Sequence, residues 1–276
     1  MNSESPVTLR PATRDDLEAI TVLTRARRKA LAAWEPWYWN PREGIDATHP
    51  MYLGWCISHN PNCDVVVAID DGQVVGCVFI HRRADHEFLD DLCVVAHRWS
   101  DVGQALIGSQ TAGVRLICAP RRDEAEARWL ESTDYTNVST FFSLRTPPPD
   151  PSHKAAELEE FPFQLADPPA HVFGTFDTET EGGLHVATSD GYAIGSAPMT
   201  PPAYDPGGPT TVIDRVVGRN RRAVIAEVLQ AASRRHDVHA IFIVAHTDDE
   251  LAEILTAAGA TQPVRLWRAS PATNGQ

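Results

Sequence analysis

Apolar residues recur along this chain at two periods. Leu17, Ile20, Leu23 and Leu31 fall at helical spacing, which predicts an amphipathic helix running to about Ala33. Thr13 can cap it, with Asp15, Asp16 and Glu18 in the first turn, where carboxylates suit the helix dipole. Residues 7–12 predict a short strand closed by Pro11, and residues 51–59 a second helix ended by Asn60-Pro61-Asn62. The pattern then turns β-like. Residues 64–69 and 73–81 predict two strands joined by Asp70-Asp71-Gly72, since Asp-Gly between β-rich runs is a hairpin signal. Leu92, Cys93, Val94 and Val95 predict a strand that passes through a polar turn carrying Arg98 into a helix at 102–107. Residues 114–119 predict another strand, and residues 123–132 a helix with Trp129 and Leu130 turned inward. A strand near 140–144 closes the unit.

Residues 146–151, TPPPDP, break regular structure, and residues 152–169 remain rich in Pro and Glu. This stretch is expected to be a linker with one short helix. Beyond it the earlier pattern returns. VAIDDGQVVGC at 67–77 matches VATSDGYAIGS at 186–196 without a gap. FLDDLCVVAHRWSDVGQAL at 88–106 then meets TVIDRVVGRNRRAVIAEVL at 211–229, with Asp91 on Asp214, Arg98 on Arg221, Gly103 on Ala226 and Leu106 on Leu229. Residues 114–119 correspond to 240–245, and EARWLESTDY to ELAEILTAAGA. Too little helical pattern precedes Leu184 for two helices, so the second copy is truncated. The expected organisation is one domain at 1–146, a linker at 147–170 and a partial second copy at 171–276, both α/β with mixed central sheets flanked by helices.

Composition narrows the function. A net charge of −13 over 276 residues disfavours a nucleic-acid partner, which needs a basic face, and would draw in a cationic small molecule. No apolar run reaches the roughly 20 residues of a membrane span, and the opening MNSESPVTLR lacks the order of a secretory signal, so a cytoplasmic protein is expected. Five cysteines with no Cys-x-x-Cys are expected to be free buried thiols rather than disulfides or metal ligands.

Candidate chemistry concentrates in residues 88–107. A strand feeding a helix through a turn with small residues points several backbone N–H groups into one concavity, with the positive end of the helix dipole behind them. That suits a phosphate or diphosphate. The turn, Arg98-Trp-Ser-Asp101-Val-Gly103, resembles the acyl-CoA pyrophosphate loop of the GNAT acetyltransferases, whose usual pattern is Arg/Gln-x-x-Gly-x-Gly/Ala. Asp101 replaces the first glycine. The opening LRPAT and the stretch DELAEILTAAGA at 249–260 also resemble GNAT sequence.

The resemblance implies a tandem GNAT protein that moves an acetyl group from acetyl-CoA to the amine of a small cationic acceptor. The backbone of Cys93, Val94 and Val95 would hold the pantetheine arm. The turn of Arg98, Trp99, Ser100, Asp101, Val102, Gly103 and Gln104 would hold the diphosphate. The family's base, a Glu early on the same strand, would be Glu87, with Asp91 in reserve on the same face by strand alternation and His86 nearby. The family's tyrosine acid is replaced by Leu130 and Leu255. Trp34, Trp37, Tyr38 and Trp39 lie where such enzymes line the acceptor pocket; pinning a loop to the core, or binding a protein partner, are the other readings. A monomer or homodimer is expected. The alternative is a catalytically decayed GNAT-like protein that binds CoA or a partner.

Overall fold

The computed structural model describes residues 7–82, 86–95, 98–108, 113–153, 183–196 and 209–269. The chain divides into two compact units. One comprises the described residues of Met1–Thr136 and Trp267–Gln276, the other Asn137–Leu266.

In the first unit β1 (Thr8–Pro11), β2 (Cys63–Asp70), β3 (Gln73–Arg82) and β4 (His86–Val94) pair antiparallel in that order. β5 (Val114–Pro120) joins β4 in parallel. The hairpin between β2 and β3 turns through Asp71 and Gly72, whose positive φ angles of 46° and 74° are what a two-residue β-turn requires. One face carries α1 (Leu17–Trp34) and α2 (Ile45–His59), which bury Ile20, Leu53 and Cys56 against Val65, Val67, Cys77, Phe79 and Cys93. The other face packs Leu89, Leu92 and Ile117 against Val102, Leu106 and Trp129. These come from a π-helical turn (Trp99–Gly103), α3 (Gln104–Gly108) and α4 (Glu124–Glu131).

The second helix begins six residues earlier than its sequence pattern predicts. Gly44, at φ 76°, sets its start, and Pro50 sits inside it. Thr13 and Asp16 form a reciprocal capping box ahead of α1.

The second unit is built from β6 (Thr136–Arg145), β10 (His239–Ala245), β9 (Thr210–Gly218), β8 (Gly191–Ser196) and β7 (His185–Thr188), neighbours in that order. β9 and β10 run parallel and the other neighbours antiparallel. α5 (Arg221–Arg234) and α6 (Asp249–Ala257) complete it, with Val224, Val228, Leu251 and Leu255 in a core shared with Phe142 and Phe242. The strand expected to close the first unit therefore pairs with β10, from Arg145↔His239 to Ser139↔Ala245. Sequence order alone does not choose a strand's partner. The chain ends on β11 (Thr261–Ala269), whose Trp267 and Ala269 lie in the core of the first unit. The linker beyond 153 and the loop at 200–209 fall largely outside the described residues.

Candidate active site

Two irregularities of β4 create the site. The first is its pairing with β5, which runs from His86↔Val114 to Leu89↔Ile117 and stops, although β4 continues to Val94 and β5 to Pro120. Beyond Leu89, among the described residues, the edge of β4 that faces β5 carries backbone groups with no strand paired to them. The second is a bulge. Phe79 pairs with Asp90 and Cys77 with Cys93, so Asp91 and Leu92 together oppose Val78. Asp91 takes φ 44°, unusual for a residue with a side chain, and its N–H donates to Asp90 Oδ1 at 2.9 Å.

The bulge overturns the expectation that Glu87 and Asp91 share a face. Leu89 lies in the core beside α3 and α4, so Glu87, two residues before it, points to that side, near Tyr135. Its neighbours on β3 and β5 are Arg82 and Arg115, within the fully paired part of the sheet. Asp90 and Asp91 turn toward α1 and α2 at the place where β4 and β5 part. Asp90 is the residue the sequence argument passed over. Its side chain keeps 54% of its surface accessible, yet protein encloses it well enough that burial, aided by the charge of Asp91, pushes its pKa up to about 7. Asp90 is thus a half-exposed carboxylate in the recess where β4 and β5 part. Cys118, one residue past the last β5 pair, lies close enough to feel the Asp90 charge, and burial raises its thiol pKa well above the usual range.

The helices supply the rest of this recess. His49 of α2 sets Nε2 3.4 Å from Asp91 Oδ2. The buried Arg28 guanidinium lies 2.9 Å from His49 Nδ1 and, having only donors, leaves the ring proton of a neutral His49 on Nε2, facing Asp91. Arg28 also reaches Asp46 at 3.1 Å. Tyr38, from the segment after α1, lies near Cys118, and burial holds its phenol protonated far beyond neutrality. Its ring meets Trp37 and Trp39 edge-on at 5.5 and 4.8 Å. Trp37 donates its indole N–H to the buried Glu35 at 2.5 Å, and Trp34 lies under the Arg27 guanidinium. Of the four expected acceptor aromatics, Tyr38 feels the charge of Cys118 on β5, while Trp34 and Trp37 are engaged by Arg27 and Glu35.

Beyond β4 the turn is closed on itself. Arg98 donates to Asp70 Oδ2 at 2.6 Å and through Nε to Asp101 Oδ2 at 2.7 Å. Burial opposes the charge on Asp101, but Arg98 and the N–H groups of Val102 and Asp101 itself hold its pKa below the usual carboxylate value. Val102 and Gly103 donate their N–H groups to the Arg98 carbonyl as well, both at 3.1 Å, and Gln104 donates to Asp101 and Trp99. The Asp101 carboxylate thus sits among the donors of its own turn. Trp99 is buried and stacks on Trp129 at 5.3 Å. A Cβ on Gly103 would come within 3.1 Å of the Trp99 ring, so close packing of the two indoles accounts for that glycine. Ser100 is exposed, and Val94 is partly buried in the core under α3.

No family model matches the sequence, and no curated protein matches it. Solved structures do. A GCN5-related N-acetyltransferase from Sphaerobacter thermophilus superposes with a TM-score of 0.55 at 13% identity, over 95% of each chain. A candidate acetyltransferase from Pyrococcus horikoshii gives 0.51 at 13% identity, over 99% of this chain and 92% of that one. One from Thermoplasma acidophilum gives 0.51 at 10% identity, over 95% and 99%.

The chain has the GNAT fold. Leu130, where the sequence resemblance would place a tyrosine, is fully buried in the core. Tyr135 is also buried there, under the Arg115 guanidinium at 5.5 Å.

Proposed function

We propose that the first unit is an acetyl-CoA-dependent acetyltransferase acting on a small amine. The observation that carries this reading is the unpaired edge of β4 beside Asp90, whose pKa near 7 lets it accept a proton close to neutrality. Acetyl-CoA would supply the activated thioester. The backbone of β4 from Asp91 through Cys93 and Val94 to Val95 fits an extended pantetheine arm, because that edge has amide groups and no strand to use them. The turn would take the diphosphate only if the Asp101 carboxylate swings out and leaves the Arg98 guanidinium to the ligand, with the Val102 and Gly103 amides also released from the Arg98 carbonyl.

On this reading Asp90 takes the proton from an acceptor ammonium and leaves the amine neutral, with its lone pair free to attack the thioester carbonyl. A C–N bond forms, the C–S bond breaks, and the second proton, shed by the nitrogen as it becomes an amide, goes to the departing sulfur. Asp91 and His49 hold the floor of the recess in place. The second unit, with Val224 at the position of Asp101 and Arg221 held by Asp248 at 2.6 Å, is assigned a structural role.

One observation favours a second reading, that of a CoA-binding or interaction protein without turnover. Asp101 already sits among the donors of that turn, and a dianionic ligand must displace it. Titrating the full chain with acetyl-CoA by calorimetry, followed by a free-thiol assay with a panel of small amines, separates the two. Binding with amine-dependent thiol release supports the transferase. Binding without release supports the second reading, and no heat at millimolar acetyl-CoA removes both.

A further inference from the structure

The surface of α2 says more about the acceptor. Large apolar side chains are seldom left in water as a group. Here Met51 is 76% exposed, Trp55 49% and Tyr52 43%, all within little more than one helical turn. The group is continuous with the floor of the recess. The Tyr52 ring lies 6.2 Å from Trp55 on one side and 6.2 Å from the His49 ring on the other, and His49 touches Asp91. Residues 49, 52 and 55 fall three apart, so three rings rise along one side of α2 from the carboxylates to solvent. Tyr52 is close enough to Asp90 for its phenol to be raised by that charge, after the larger effects of burial and a hydrogen bond with Cys56.

We infer that this is one continuous acceptor-binding surface, and that it takes a primary ammonium carrying an aromatic or bulky apolar tail. The ammonium would sit at Asp90 and Asp91, and the tail would lie on Tyr52, Trp55 and Met51. Charge complementarity fixes the cationic end, because two carboxylates face the recess and the groups beside them, His49 at 3.4 Å from Asp91 and His81 at 3.8 Å from Asp90, are imidazoles that carry charge only when protonated, while Arg28 is turned to His49 and Asp46. A short polar amine would leave the outer rings bare. A purely apolar ligand would leave both carboxylates without a counter-charge. Both rings also present faces on which a cation or another ring can stack. This inference specifies the acceptor of the transferase proposed above, but it concerns binding and does not require turnover.

The test is calorimetric titration of the full chain, without acetyl-CoA, using 2-phenylethylamine, ethylamine and 2-phenylethanol as probes at pH 8. The expected order is 2-phenylethylamine bound roughly tenfold or more tighter than either of the others, a gap of about 1.4 kcal/mol or more. Trp55→Ala should lower that affinity about fivefold or more while leaving ethylamine unchanged. Trp55 is exposed, so an unchanged melting temperature will confirm that the variant is folded. Equal binding of 2-phenylethanol would overturn the role of the carboxylates. Unchanged binding in Trp55→Ala, checked with Tyr52→Ala, would overturn the role of the rings. A concentration-dependent dimer that Met51→Glu dissociates would reassign the patch to contact between copies. Binding in the expected order with no acetyl transfer would leave this inference standing and sink the transferase.

Discussion

The two units part their parallel strands in the same way and differ in what stands at the opening. In the first, β4 and β5 pair over four residue pairs and then separate. In the second, β9 and β10 do the same, ending at Ile213↔Phe242. Each leading strand also carries an extra aspartate, Asp91 in β4 and Asp214 in β9, where the register with its antiparallel neighbour slips. The position of Asp90, however, is occupied by Ile213, which is 1% exposed. After the strand, the first unit makes a π-helical turn with Asp101 among its donors. The second begins a regular 14-residue helix with Asn220 as cap, its side chain accepting from Ala223 N at 3.3 Å. The described residues of the second unit include no counterpart of α1 or α2, and so none of His49, Tyr52 or Tyr38. The lesson is that parting strands and a bulge belong to the fold, whereas a titrating carboxylate in a recess is an addition made in one copy.

The sharpest way to break this comparison is through the two strand aspartates. Asp90→Asn should lower amine acetylation by about 100-fold or more, the usual range for losing a general base, whereas Asp214→Asn should leave it within about twofold. The wild-type rate should climb through pH 7 and level off above it, and Asp90→Asn should flatten that rise. Stability gives an independent check of sign. Asp90 has a folded-state pKa near 7, above the roughly 3.9 of an unfolded chain, so the folded state binds more protons between those values. Its contribution is intact below about pH 4 and is lost as pH rises through 7. Asp90→Asn should therefore melt higher than wild type at pH 8 and lose that advantage at low pH. Equal losses of rate in the two aspartate variants would mean that the working copy has been misassigned.

A smaller effect is expected from the arginines. Arg98→Glu should weaken acetyl-CoA binding roughly tenfold or more, and Arg221→Glu less than twofold, because Arg221 is already tied to Asp248 and Glu250. Asp101→Gly should act in the opposite direction and tighten binding several-fold, while costing about 1 kcal/mol of stability as a helix-entry carboxylate is lost. Calorimetry with acetyl-CoA reads all three. Tightening in Asp101→Gly would show that the carboxylate competes with the ligand, and no change would show that it does not.

The smallest difference concerns packing. Gly76 and Gly195 are equivalent in the repeat, and a Cβ on either would collide, with Val102 Cγ1 at 2.6 Å in one case and the Val212 carbonyl oxygen at 2.3 Å in the other. Alanine at either position should cost about 1–3 kcal/mol. Gly195→Ala should be the worse of the two, since backbone yields less readily than a side chain. Chemical denaturation monitored by intrinsic fluorescence would rank them.

Much of this was readable in the residues alone. The Asp-Gly hairpin, the amphipathic first helix and the strand leading into the Arg98 turn all follow from local chemistry that the fold leaves undisturbed. The repeat located the second unit because matched spacing survives where individual residues do not. What escaped was set by long-range partners. Alternation assigned Glu87 and Asp91 to one face, and a single inserted residue in β4 reversed that assignment. The beginning of α2 was hidden by Pro50 and by a glycine whose φ angle no periodicity reports. Asp90 looked like one more strand-end carboxylate, and only the enclosure built by α1, α2 and the parting of β5 distinguishes it. The alternation of β6 gave its strand and could not give its neighbour.

The route of β11 has a consequence for how the protein is made. Trp267 is 4% exposed and Ala269 fully buried, both among the side chains that surround Trp129 and Leu130. A chain emerging from the ribosome displays all the helices and the first five strands of that core long before these two residues exist. Until those residues are translated, the first unit must wait with a gap the size of an indole, open to chaperones and proteases. The part of the molecule that carries the proposed chemistry is thus completed only after the second unit has been translated, although most of its strands and helices come first.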